Sequence, residues 1–309
     1  MAFRLLAKDV ETLRALAEYR LMTVPQLLWV CGFSGLQMTR RRLAALEDAG
    51  LVGSENRGYG RHQGRPEKVF SLAQAGFEVL RKEGKLPEWV GFEQASGERI
   101  TCPDHQLLLN WFRVRLDYLP TVLARLSVRS AASNSPFVAR KAEEPAAQPD
   151  DVVAALGLQK KRGLVPDAVF AITDAQEKKS LLFFLEVDMG TETVASPTRE
   201  PGDLRAKVTK YQQYFRENAY RAYERPWSAT FNGFRLLILT NTPERLHSLC
   251  ALVREMQPSG FVWLTCELSL TADGLAAPIW ARAGRTDKPL ESIVGPAMGR
   301  CTPLPPPKP

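Results

Sequence analysis

Residues 181–185 are five apolar side chains in a row, Leu-Leu-Phe-Phe-Leu, and two carboxylates, Glu186 and Asp188, follow at once. A run this apolar, without Gly or Pro, reads as a strand buried on both faces. Side chains alternate along a strand, so Glu186 and Asp188 point to one face while Val187 points to the other. A third carboxylate, Asp167, follows Pro166 at the start of a second strand-like run over 165–172. The polar residues 173–179 between the runs suit a hairpin, which sets the start of one strand beside the end of the next. Asp167, Glu186 and Asp188 are therefore expected to gather at one sheet edge. Hard oxygen donors with no Cys or His among them suit Mg2+ or Mn2+ better than zinc. The alternative is that the strand has simply reached the surface, where acids are ordinary.

Downstream, residues 203–220 read as a helix with Lys207, Lys210, Tyr211 and Tyr214 at three- and four-residue steps along one face. That stripe falls beside the acidic cluster. Lys207 could orient an attacking water or stabilise charge developing on a phosphoryl group, Lys210 could stand in for it, and Tyr211 could hydrogen-bond a carboxylate. A plain ion pair between Lys207 and Glu186 or Glu192 is an equal reading.

The N-terminal part carries chemistry of another kind. Apolar residues at helical spacing give a helix over 8–19; Thr23-Val24-Pro25-Gln26 reads as a capping box that opens a second, closed by Gly32. Ser34-Gly35-Leu36-Gln37 repeats the pattern before a third helix, which runs to about residue 48 and stops at Gly50. Three short helices with a tight turn between the last two read as helix-turn-helix. Strand-like 51–54 and 68–72 then bracket a Gly-rich basic loop, as the wing of a winged helix would be, and a fourth helix covers 73–82. The third helix presents Gln37, Arg40, Arg41 and Arg42, residues that can read base edges in a major groove. Arg57, Arg61 and Arg65 on the loop could hold phosphates or enter the minor groove. Coincidence of basic residues on both elements favours double-stranded DNA as partner over a merely solvated face.

Pro166-Asp167, then Glu186-Val187-Asp188 on the next strand, then Lys207 on the following helix, resembles the PD-(D/E)xK nuclease superfamily. With the N-terminal helix-turn-helix, the chain is similar to the replication-relaxation family of plasmids and other mobile elements. The resemblance implies an α+β protein: a winged helix-turn-helix followed by an α/β sandwich of restriction-endonuclease-like type. It also implies a DNA-nicking site with Mg2+ or Mn2+ on Asp167, Glu186 and Asp188. Asp188 stands where that superfamily carries its lysine, and Lys207 or Lys210 would replace it. His105 resembles the histidine that opens the equivalent helix in the family and is an accessory candidate.

The expected organisation is a winged-helix domain over 1–98, a nuclease-like domain over 101–285, and a Pro-rich disordered tail over 286–309. The junction falls in the polar residues 87–97, and 139–162 reads as a surface excursion. Within the second domain the expected order is helix, three strands, helix, strand, helix, strand. No apolar stretch suits a membrane span, and the N-terminus turns acidic too early for a signal peptide, so a cytoplasmic protein is expected. Five scattered Cys fit a reducing compartment and argue against structural zinc. A net charge of +7 is compatible with nucleic acid without demanding it. No Gly-rich phosphate loop or nucleophile elbow is present, which argues against a small-molecule cofactor or substrate. A homodimer would suit a palindromic DNA site, though no heptad pattern marks an interface. The alternative function is a regulator or replication accessory in which the nuclease fold is inactive.

Overall fold

The computed structural model describes residues 4–57, 67–137, 152–190 and 203–295. Its chain mixes helices with two sheets and divides into two compact units. Of the described residues, those up to 114 together with 134–137 form the first unit; 115–133 and 152–295 form the second.

The first unit runs α1 (Ala7–Tyr19), β1 (Met22–Thr23), α2 (Val24–Cys31), α3 (Leu36–Asp48), β2 (Val52–Arg57), β3 (Glu67–Leu72), α4 (Gln74–Lys82) and α5 (Phe92–Ala95). Its three strands pair antiparallel in the order β1-β3-β2. β1 was not legible in the sequence, because two residues are too few to show a period. Thr23 caps α2 as expected: its hydroxyl accepts from the Gln26 amide at 3.4 Å, and the Gln26 side chain accepts from the Thr23 amide at 3.0 Å. Gly32 ends α2 in the left-handed region at φ 63°, where a side chain would be strained. The second expected capping box does not form; α3 starts from Gly35 with no side-chain cap.

α6 (Pro103–Val122) belongs to the first unit through its first half, so the division falls inside this helix rather than at 87–97. The reason is burial. Leu107, Leu108 and Leu109 are fully enclosed, and Leu107 packs with Leu21 and Val69. Asn110 donates to the carbonyls of Tyr19 and Leu21 at 3.1 and 2.6 Å, while the buried Gln26 amide donates to the Leu107 carbonyl at 2.8 Å.

The second unit continues with β4 (Leu126–Ala132), α7 (Val152–Lys161), β5 (Ala168–Asp174), β6 (Lys179–Asp188) and α8 (Leu204–Arg216). A 3-10 turn (Ala219–Tyr223), α9 (Glu224–Trp227), β7 (Phe234–Thr240), α10 (Pro243–Glu255), β8 (Val262–Cys266), α11 (Glu267–Asp273) and β9 (Ala281–Arg282) follow. The six-stranded sheet has the order β4-β5-β6-β7-β8-β9. β4, β5 and β6 pair antiparallel, β6, β7 and β8 pair parallel, and β9 pairs antiparallel with β8. Phe170 and Phe183 stack across β5 and β6 at 4.7 Å. On the other face of β6, Phe184 packs edge-on against Tyr214, Tyr223 and Phe234. Residues 286–295 are part of this unit rather than of a disordered tail: Ile293 is fully buried and Glu291 exchanges backbone hydrogen bonds with Trp280. Among the described residues no helix is long and apolar enough to cross a membrane.

At Gly76 in α4 a β-carbon would lie 2.2 Å from the Leu51 carbonyl oxygen and 3.0 and 3.1 Å from the Leu72 and Leu13 side chains. Gly76→Ala is therefore expected to destabilise the first unit by about 1–3 kcal/mol, read as a lower urea midpoint.

Candidate functional site

Asp203 launches α8 by accepting from the Ala206 amide at 2.6 Å, and this fixes where Lys207 and Tyr211 fall. Across the sheet the β5–β6 ladder ends at Ala168 opposite Leu185, and Asp167 lies one residue beyond it, near enough to Glu186 to act on its carboxyl. The Asp167 amide donates to the Leu185 carbonyl at 2.9 Å, and its carboxylate accepts from the Val187 amide at 2.8 Å. Glu186, two residues from Phe184, faces the side on which α8 packs, and Asp167 acts electrostatically on both Glu186 and Tyr211.

Glu186 is almost completely enclosed. Its carboxylate accepts from the Tyr211 hydroxyl at 2.7 Å and meets Lys207 Nζ at 3.2 Å. Burial pushes the Glu186 carboxyl up to about 7; Lys207 opposes that rise, Asp167 adds to it, and the Tyr211 hydrogen bond pulls it back. Burial and the neighbouring Glu186 hold the Tyr211 hydroxyl well above the ordinary tyrosine value, so it acts as a donor.

Asp188 faces the same way as Glu186 but has other company. Arg245, in the first turn of α10, donates through Nε and Nη2 to the two Asp188 oxygens at 3.0 and 2.8 Å, and the Gly190 amide adds a bond at 2.6 Å. The pair is nearly enclosed, with side-chain exposures of 13% and 4%. Among the described residues no group of three or more His, Cys, Asp or Glu could hold a metal ion. The expected set of three carboxylates is therefore not what the fold assembles. It brings together Asp167, Glu186, Lys207 and Tyr211, and assigns Asp188 to Arg245. Two carboxylates still fit Mg2+ or Mn2+, because Mg2+ keeps several waters and commonly takes only one or two carboxylates. The sequence reading missed Arg245. The available signal was its place in the turn after β7, whose last residue, Thr240, lies beside Asp188.

The other candidates separate clearly. Lys210 donates to the Gly163 carbonyl at 3.3 Å instead of reaching the acids. His105 sits half-buried in the first turn of α6, in the first unit. On α3, Gln37, Arg40 and Arg41 are exposed at positions that share one face. Arg42 is taken by the fully buried Asp9 of α1, to which it donates through two nitrogens, and by the Arg4 carbonyl at 3.1 Å. Its guanidinium is thus engaged in the contact between α1 and α3, unlike those of Arg40 and Arg41 on the outer face. Arg57 ends β2 and pairs with Glu55 at 2.5 Å. Arg61 and Arg65 lie outside the described residues.

Fold and site define a two-unit mixed α and β protein with two neighbouring acids, a lysine and a tyrosine where the inner strands β5 and β6 meet α8. A family model described as replication-relaxation matches residues 13–225, and the chain belongs to the replication-relaxation family. Asp167, Glu186, Asp188 and Lys207 lie within the matched residues; Arg245 lies beyond them. No curated protein and no solved structure matches the chain.

Two outcomes follow. Because the folded-state Glu186 value of about 7 exceeds the unfolded one, its contribution to stability is complete below the unfolded value and is lost as pH rises through 7. In chelator-treated protein, denaturant unfolding from about pH 5 to about pH 8 should show stability falling by up to about 1.4 kcal/mol per unit from this group, a slope that Glu186→Gln flattens. Arg42→Ala should cost about 3 kcal/mol by stranding buried Asp9, whereas Arg40→Ala and Arg41→Ala should each cost less than about 0.5 kcal/mol.

Proposed function

We propose that the chain binds double-stranded DNA of a plasmid or other mobile element and acts in its replication or relaxation, with a metal-dependent nicking centre in the second unit. The family description points to that setting. The observation that carries the DNA reading is the exposed α3 face, where Gln37, Arg40 and Arg41 lie together, with Glu67 of β3 within electrostatic reach of Arg40. Supporting a winged helix are the order α1, β1, α2, α3, β2, β3 and the sheet order β1-β3-β2. Under that reading α3 enters the major groove and Arg57 contacts the backbone, with Arg61 and Arg65 following from sequence.

Supporting a PD-(D/E)xK-type core are the antiparallel β4, β5 and β6, the parallel β7 reached through α8, and the placement of Asp167, Glu186 and Lys207. Asp167 and Glu186 would hold the divalent cation. When bound, it supplies Lewis acidity toward a phosphodiester oxygen and lowers the pKa of a bound water. Lys207, anchored on Glu186, presents a positive charge where phosphoryl charge develops. Tyr211 fixes the Glu186 rotamer by donating to one oxygen and leaves its own proton in place.

A second reading, DNA binding without cleavage, is favoured by Arg245 on Asp188: the residue in the lysine's usual place is locked in an ion pair.

Supercoiled plasmid incubated with Mg2+ or Mn2+ decides between them. Wild type should nick, and Asp167→Ala, Glu186→Ala and Lys207→Ala should each lose about 100-fold or more of the rate at equal DNA occupancy. Full occupancy without nicking by wild type selects the second reading. Arg40→Ala/Arg41→Ala should weaken duplex binding; unchanged affinity at low salt would remove the α3 assignment.

A further inference from the structure

The segment leading into Asp167 and the helix beyond it carry charge of one sign only. Residues 152–166 contain Lys160, Lys161 and Arg162 and no Asp or Glu; residues 204–216 contain Arg205, Lys207, Lys210 and Arg216 and again no Asp or Glu. The other long helices of the described residues, α1, α3, α4, α6 and α10, mix signs, as ordinary solvated faces do. α1 carries Lys8, Glu11, Arg14 and Glu18; α4 carries Glu78, Arg81 and Lys82; α10 carries Glu244, Arg245, Arg254 and Glu255. The contrast singles out the α7–α8 surface.

The two cationic segments are neighbours. Lys210 Nζ donates to the Gly163 carbonyl at 3.3 Å, in the turn that follows α7, and Arg162 pairs with Glu217 just past the end of α8. Lys160, Lys161 and Arg162 are all exposed. The acids that answer this surface sit at its rim: Glu217 on Arg162, and Glu255 at 3.5 Å from Arg205, both contacts solvent-exposed and therefore weak. At the inner end Lys207 reaches Glu186, which Asp167 neighbours. Cations thus run from the end of α7, past Gly163 and Lys210, to the acid pair.

We infer that the ridge formed by Lys160, Lys161 and Lys210 is a second DNA contact, which seats the phosphodiester backbone and leads a strand toward Asp167 and Glu186. This rests on the proposed DNA reading but on residues separate from those of α3. Acid-free lysines along a backbone track give salt-dependent binding that is indifferent to base sequence. The ridge therefore adds affinity and places the strand, while α3 supplies sequence preference.

The test is the affinity of the full chain for a fluorescein-labelled duplex across a salt series. Lys160→Ala/Lys161→Ala and, separately, Lys210→Ala are compared with wild type, with Arg40→Ala/Arg41→Ala, and with Lys179→Ala/Lys288→Ala, which removes the same charge from exposed sites elsewhere. Each lost phosphate contact should reduce the slope of log affinity against log salt by about 0.9, so the Lys160/Lys161 variant should lose about 1–2 units and Lys210→Ala about one. The Lys179/Lys288 control should keep the wild-type slope. A ridge variant with wild-type slope and affinity, beside a weakened Arg40/Arg41 variant, overturns the inference and leaves the α3 reading standing. Equal losses in ridge and control variants also overturn it, as an effect of net charge alone. Wild type that fails to bind the duplex at low salt removes the inference together with the proposed function.

Discussion

Two carboxylates set close together at the ends of neighbouring strands repel, and enclosing one of them raises the cost further. Asp167 is held near Glu186 by its amide bond to the Leu185 carbonyl and by the Val187 amide on its carboxylate, just past a ladder that stretches back through the stacked Phe170 and Phe183. What makes the arrangement tolerable is α8. It brings Lys207 to one Glu186 oxygen and the Tyr211 hydroxyl to the other, while the aromatic faces of Tyr211, Tyr214 and Phe234 close around Phe184. The same helix packing that completes the core therefore completes the site.

The parallel half of the sheet has the complementary effect on Asp188. Once β7 lies beside β6, the turn into α10 passes over the end of β6, and Arg245 meets Asp188 with two parallel hydrogen bonds. Two acids on one strand, two residues apart and on one face, are thereby given different partners: a lysine and a tyrosine for the first, an arginine for the second. The alternation of the strand puts them side by side; the connections on either side of β7 decide what each does.

Charge in the first unit is divided in the same manner. Consecutive arginines at 40, 41 and 42 are chemically identical in the sequence, but successive helical residues point about 100° apart, and only Arg42 turns inward to Asp9. Asp9 sits in the first turn of α1 and also accepts from the Leu6 amide, so it serves the helix end and the α1–α3 contact together. The remaining two arginines stay on the outer face with Gln37.

By itself the sequence determined the order of the main elements, the Thr23 cap, the turn at Gly32, the hairpin that joins β5 to β6, and the meeting of Asp167 with Glu186. These are local: capping, a positive φ and a short hairpin fix geometry over a few residues, and period two carries it along a strand. The family was legible for a related reason, since its motif is spaced along consecutive elements. Only the tertiary structure decided that α6 begins in the first unit, that residues 286–295 fold back onto the second, that Arg42 pairs with Asp9, and that Asp188 belongs to Arg245. Each of those depends on a partner distant in the chain. A carboxylate or guanidinium carries no local sign of which opposite charge will reach it, because that is settled by which helix the packing of apolar faces sets beside it.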